Sequence, residues 1–198
     1  MPAHWIKICG LTHADAVAAA LDSGADGIGF VFAPSLRQVD AATAAKLARP
    51  AHGRARIVAV TLHPTQAQLD EILDGLSPDV LQTDAEDFAA LRLPASLTRL
   101  PVLRAAPKDP PARFLFEGAR SGSGTPSDWQ QAQRLALRSQ LILAGGLSPA
   151  TVARAIDTVR PFGVDVSSGV EQAPGRKSPR LITDFITAAR AAFAESLT

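Results

Sequence analysis

The chain of 198 residues holds one cysteine, Cys9, no tyrosine and only 5% aromatic side chains. A single thiol cannot close an internal disulfide, so a disulfide-stapled scaffold is excluded. No apolar run approaches the roughly 18 to 20 residues that span a bilayer as a helix, which excludes a helical membrane protein. A surplus of one charge is missing too: 20 Lys and Arg stand against 19 Asp and Glu, for a net charge of +1. The basic residues are scattered, so no nucleic-acid footprint is expected. Histidine occurs at positions 4, 13, 52 and 63, with no short ligand spacing among them or to Cys9, and no metal site is expected. The opening Met1-Pro2-Ala3-His4-Trp5 leads straight into an apolar segment, without the charged start of a signal region. A cytoplasmic location is the expectation.

Hydrophobic residues make up 46% of the chain and charged ones 20%, enough to pack one core, and the length suits a single domain over residues 1–198. Apolar runs of strand length alternate with longer Ala- and Leu-rich stretches of helical period. The predicted strands are Trp5 to Cys9, Gly27 to Phe32, Arg56 to Leu62, Val80 to Gln82, Leu100 to Ala105, Arg113 to Glu117, Leu141 to Ala144 and Gly163 to Ser167. The predicted helices are Ala14 to Ser23, Ala41 to Ala48, Thr65 to Leu76, Glu86 to Leu91, Asp128 to Leu137, Pro149 to Val159 and Pro179 to Ala194. After the fifth strand, Ala106-Pro107-Lys108-Asp109-Pro110-Pro111 is too rich in proline for a helix, so an irregular connection is expected there.

Strands alternating with helices demand a parallel sheet covered on both faces, either an open doubly wound sheet or a closed (β/α)8 barrel. With about 25 residues per unit, a minimal barrel fits. Alternation of side chains favours closure. Lys7 and Cys9 oppose Ile6 and Ile8, Glu117 opposes Phe114 and Phe116, and Asp165 and Ser167 oppose Val164 and Val166. A barrel gives such polar faces a common interior, with Cys9, Glu117 and Ser167 at the C-terminal mouth where barrel enzymes place their chemistry.

Two glycine-bearing strand ends come late in the chain: Gly145-Gly146 ahead of the seventh predicted helix, and Ser167-Ser168-Gly169 after the eighth strand. Bare backbone N–H groups near a helix start suit a phosphate, and barrels often hold one between these two loops. Taken singly, either segment is equally well a tight turn.

Several segments together resemble the phosphoribosylanthranilate isomerase family. They are Lys7-Ile8-Cys9-Gly10-Leu11-Thr12, Gly24 to Phe32, Ser35-Leu36-Arg37, Ser121-Gly122-Ser123-Gly124 with Asp128-Trp129, Leu143 to Leu147, and Gly163 to Glu171 with Gly175 and Lys177. The likeness implies a (β/α)8 barrel acting without a cofactor on one small-molecule substrate, phosphoribosylanthranilate, as a monomer or homodimer with no nucleic-acid or membrane partner. It implies an Amadori rearrangement of aminoaldose to aminoketose, with Cys9 as general base, Glu117 as general acid, Arg37 on the anthranilate carboxylate, Gln82 facing the substrate, and Gly145, Gly146, Ser167, Ser168 and Gly169 on the phosphate.

A thiol with a reference pKa of about 8.5 is little ionised at neutral pH, so Cys9 needs help. Lys7, one pleat deeper on the same face, is expected to favour the thiolate, and Asp165 on the neighbouring eighth strand is expected to pair with Lys7. Three positions depart from the family pattern. Glu117 stands where aspartate is usual, Leu81-Gln82-Thr83-Asp84 where Gln-Leu-His-Gly is common, and Ser178 where aspartate is usual. Two other readings stay open: another aminoaldose-phosphate isomerase, such as that of histidine biosynthesis, and a noncatalytic binder of phosphorylated ligands. The first calls for a second phosphate grip in the first half of the chain, and none is found there.

Overall fold

A computed structural model describes residues 4–118 and 127–196. Eight parallel strands close into one barrel, β1 (Trp5–Cys9), β2 (Gly27–Val31), β3 (Arg56–Val60), β4 (Val80–Asp84), β5 (Thr98–Leu103), β6 (Arg113–Phe116), β7 (Gln140–Leu143) and β8 (Gly163–Val166). The outer ring comprises α1 (Ala14–Asp22), α2 (Ala41–Ala48), α3 (Gln66–Leu76), α4 (Trp129–Ala136), α5 (Val152–Val159) and α6 (Pro179–Glu195). The closing ladder pairs β1 with β8, placing Lys7 opposite Asp165. Ser121-Gly122-Ser123-Gly124 of the family motif lies outside the described residues.

The alternation of side chains divides the apolar residues into two layers. Ile6, Ile8, Ile28, Phe30, Phe114, Phe116, Val164 and Val166 face outward and pack under the helices. Trp5, Val58, Val80, Leu100, Val102, Leu115, Ile142 and Ala144 fill the barrel interior. Each large side chain enclosed in this way contributes roughly 1.5–3 kcal/mol of transfer free energy. The interior floor is the Trp5 indole, and the neighbouring strands make room for it by lacking side chains. A methyl group on Gly27 would approach Trp5 Cζ2 to 2.6 Å. Gly29, next along β2, does the same for Lys7 and Cys9, each of which would lie 3.1 Å from an added Cβ.

Helix starts are set by short polar side chains. Asp40, Asp128 and Ser178 accept from backbone N–H groups of α2, α4 and α6, and Thr65 and Gln68 form a reciprocal capping box on α3. The Pro-rich stretch between β5 and β6 carries no helix, as expected. The helix predicted over Glu86 to Leu91 is instead a short 3-10 turn over Ala85–Ala89. Asp87 within it is drawn back to Thr83 Oγ1 and to the His63 backbone and ring, a local bonding pattern that competes with helix propagation. β4 continues past Gln82 because Thr83 and Asp84 find ladder partners in Pro101 and Val102. Helix α5 starts at Val152 rather than at Pro149, after a turn in which Thr151 Oγ1 accepts from the Ser148 N–H. A hairpin that the sequence reading did not anticipate, β9 (Glu171–Ala173) with β10 (Arg176–Lys177), follows β8.

Candidate active site

Interior positions at the C-terminal ends of the strands converge on one cavity of about 230 Å³. Cys9 from β1, Gln82 and Asp84 from β4, Glu117 just past β6, Asp165 from β8, Ser167 just past it, and Arg37 from the loop after β2 all line it. Of the residues singled out from sequence, Lys7 sits one layer deeper and is fully enclosed. Gly145, Gly146, Ser168 and Gly169 occupy the two adjoining loops, from which Ser167 reaches the cavity wall.

Lys7 Nζ donates to Asp165 Oδ1 at 2.7 Å, the anticipated pair. Burial opposes the ammonium form, yet attraction to Asp165 and to the Cys9 sulfur outweighs it, so Lys7 is held above the usual lysine range. The effect on the thiol corrects the sequence reading. Burial pushes Cys9 up, Lys7 and Lys177 pull it down, and burial wins. Lys7 softens the cost of forming a thiolate without making it the resting state, because its charge is already committed to Asp165.

Arg37 is tied rather than free: Nε donates to Glu171 Oε1 at 2.6 Å and Nη2 to Oε2 at 3.0 Å. Glu171 also accepts from Lys177 Nζ at 2.8 Å and from the Gly175 N–H at 3.1 Å. Burial alone would raise its pKa, but Arg37 and Lys177 hold the carboxyl down at about 2. Lys177 in turn donates to the Ser167 carbonyl at 3.0 Å. The β9–β10 hairpin therefore ties the loop after β8 to the loop after β2, a link that only the motif residues Glu171, Gly175 and Lys177 hinted at.

The two glycine loops press together. Gly145 and Gly146 take φ of +89° and +66°, left-handed backbone that favours glycine. A methyl group on Gly169 would overlap the Leu147 carbonyl. The N–H groups of Gly145, Gly146, Ser168 and Gly169 donate to no other described residue.

Sequence reasoning missed two residues of the mouth, Arg104 and Thr61, and gave Asp84 no role. Arg104 stands between Asp84 Oδ1, at 2.6 Å from Nη1, and Glu117 Oε1, at 2.9 Å from Nη2. Thr61 lines the cavity beside Gln82, and both the Thr61 hydroxyl and Gln82 Oε1 are buried without a partner among the described residues. The signal for Arg104 was present in the alternation of β5, since Leu100 and Val102 point inward and Arg104 is next in that series.

A thiol, carboxylates and two glycine-bearing loops gathered at the mouth of a closed parallel barrel fit the class of (β/α)8-barrel enzymes. Residues 6–188 match the family of N-(5'-phosphoribosyl)anthranilate (PRA) isomerase, and the chain belongs to that family. The N-(5'-phosphoribosyl)anthranilate isomerase of Chelativorans sp. (strain BNC1) is 43% identical over 94% of this chain and 96% of its own length. Among solved structures, TrpF from Jonesia denitrificans is 35% identical, with a TM-score of 0.80 over 96% of this chain and 98% of that one. A phosphoribosyl anthranilate isomerase in complex with reduced 1-(o-carboxyphenylamino)-1-deoxyribulose 5-phosphate is 26% identical, with a TM-score of 0.77 over 95% of this chain and 99% of that one. The chain is an isomerase. No helix among the described residues is long and apolar enough to cross a membrane.

Proposed function

We propose that this enzyme converts N-(5'-phosphoribosyl)anthranilate to 1-(2-carboxyphenylamino)-1-deoxyribulose 5-phosphate, a step of tryptophan biosynthesis, with Glu117 as general acid and Cys9 as general base. The observation that carries the reading is that thiol and carboxyl line one cavity, beside two loops whose backbone donors have no acceptor among the described residues. Glu117 gives a proton to the ribose ring oxygen as the C1–O bond breaks, and the aniline nitrogen's lone pair forms the Schiff base. The Cys9 thiolate takes the proton from C2, and the electron pair shifts through C1 to the nitrogen, giving an enol that tautomerises to the ketone. The tautomerisation moves a proton from the enol oxygen to C1, and the enzyme resets when the proton that Cys9 took from C2 passes through solvent to the Glu117 carboxylate, so atoms and protons balance.

The phosphate is assigned to the N–H groups of Gly145, Gly146, Ser168 and Gly169, with Ser167 beside them. Arg37 is assigned to the anthranilate carboxylate, with Nη1, the nitrogen that Glu171 does not take, as the donor. Lys7 and Asp165 set the charge around the thiol, and Gln82 with Thr61 supplies polar groups for the sugar hydroxyls.

The substrate fluoresces through its anthranilate moiety, so purified protein should extinguish that signal. Cys9→Ser and Glu117→Gln are each expected to lower kcat at least about a hundredfold. A fully active Glu117→Gln would move the acid elsewhere, and a wild-type protein that leaves the fluorescence intact would favour the noncatalytic binder.

A further inference from the structure

The geometry points to Arg104 as a positioning residue for the reaction: anchored on Asp84, its guanidinium holds the Glu117 carboxyl in the mouth of the barrel. The inference rests on the reading of Glu117 as the acid. It follows from register. Asp84 lies opposite Val102 in the β4–β5 ladder, and Val102 opposite Leu115 in the β5–β6 ladder. Two residues further along, on the same inward face, Arg104 and Glu117 stand side by side one step above Asp84. The guanidinium spans both carboxylates, at 2.6 Å to Asp84 and 2.9 Å to Glu117.

Two physical consequences favour a role in the chemistry over a simple surface bridge. A glutamate has one more rotatable bond than an aspartate, and an unanchored stem would spread its carboxyl over several rotamers; a planar two-armed donor on a rigid strand end selects one. Charge division is the second. A guanidinium committed to Glu117 alone would favour its anionic form more strongly than one shared with Asp84, whose own negative charge works the other way. The carboxylates are largely enclosed, with 9% and 13% of their side chains exposed, so water screens these effects little. Among the described residues, the other charged groups facing this cluster are His63, with Nε2 3.7 Å from Asp84, and Asp87 on the His63 ring. Cys9, Arg37 and the Lys7–Asp165 pair sit on other walls of the mouth.

The test measures kcat, KM and the pH profile of kcat/KM for phosphoribosylanthranilate in Arg104→Gln, Arg104→Lys and Asp84→Asn. Arg104→Gln should lower kcat about thirtyfold with KM little changed, and Arg104→Lys should recover part of the loss. The limb of the profile that follows the acid should move to higher pH in Arg104→Gln and to lower pH in Asp84→Asn, by about one unit each. A raised KM with kcat intact would make Arg104 a substrate ligand and overturn the proposal, as would a limb that moves in neither variant. If Arg104→Gln fails to fold, the direction of the Asp84→Asn shift decides alone. Full activity of Glu117→Gln would remove the acid assignment itself; an inactive Glu117→Gln beside a fully active Arg104→Gln would remove only the role of Arg104.

Discussion

On the β8–β1 side of the barrel, Lys7 and Asp165 form a one-to-one pair at 2.7 Å, with the lysine wholly enclosed. On the β4–β6 side, one guanidinium serves two carboxylates and keeps 27% of its side chain in solvent. The first arrangement fixes charge and the second divides it. A sealed ion pair strongly resists loss of either partner, because the survivor is stranded in a dry interior. A shared, partly wet guanidinium can lose one partner and keep the other, which suits the wall that carries the proposed acid.

Three substitutions probe that contrast, in falling order of effect. Asp165→Asn leaves Lys7 without its carboxylate and is expected to cost about 3–5 kcal/mol of stability in chemical denaturation. Replacing both members, Lys7→Met with Asp165→Leu, should recover much of that loss while abolishing activity; an equally unstable double variant would show that the pair itself, not the stranded charge, sets the cost.

Glu171→Gln comes next. Its carboxyl is held at about 2 by Arg37 and Lys177 against an ordinary value of 4.5. A depressed carboxylate stabilises the fold above its ordinary value and loses that contribution as pH falls from about 4.5 toward 2. The variant should therefore lose about 2 to 3 kcal/mol at neutral pH, and its stability should depend less on pH in that acidic window. Its KM should rise, since Arg37 is released; an unchanged KM would separate Arg37 from the substrate. Asp84→Asn is the mildest of the three in stability, about 1 to 2 kcal/mol, because Arg104 keeps Glu117 and its partial exposure to solvent. A loss as large as that of Asp165→Asn would erase the distinction between the two walls.

Much of this architecture can be read from residue order. Period-two alternation in β1, β6 and β8 told inside from outside, and the Lys7–Asp165 pair followed from closing the ring. The same rule applied to β5 would have found Arg104, but a lone arginine late in a strand also reads as an ordinary solvated end. The short turn over Ala85–Ala89 escaped because side-chain bonds from Asp87, reaching His63 from another loop, decide it. The sign of the Cys9 shift escaped for a related reason. Sequence brings a lysine near the thiol, but only the packed fold reveals how completely both are removed from water, and burial is the larger effect here.

A crystal structure of the protein with reduced 1-(o-carboxyphenylamino)-1-deoxyribulose 5-phosphate bound tests the central claim most directly. The account predicts the phosphate against the backbone N–H groups of Gly145, Gly146, Ser168 and Gly169, the carboxylate on Arg37, and the sugar carbons between Cys9 Sγ and the Glu117 carboxyl. A ligand whose reacting carbons lie out of reach of either of those two side chains would contradict it.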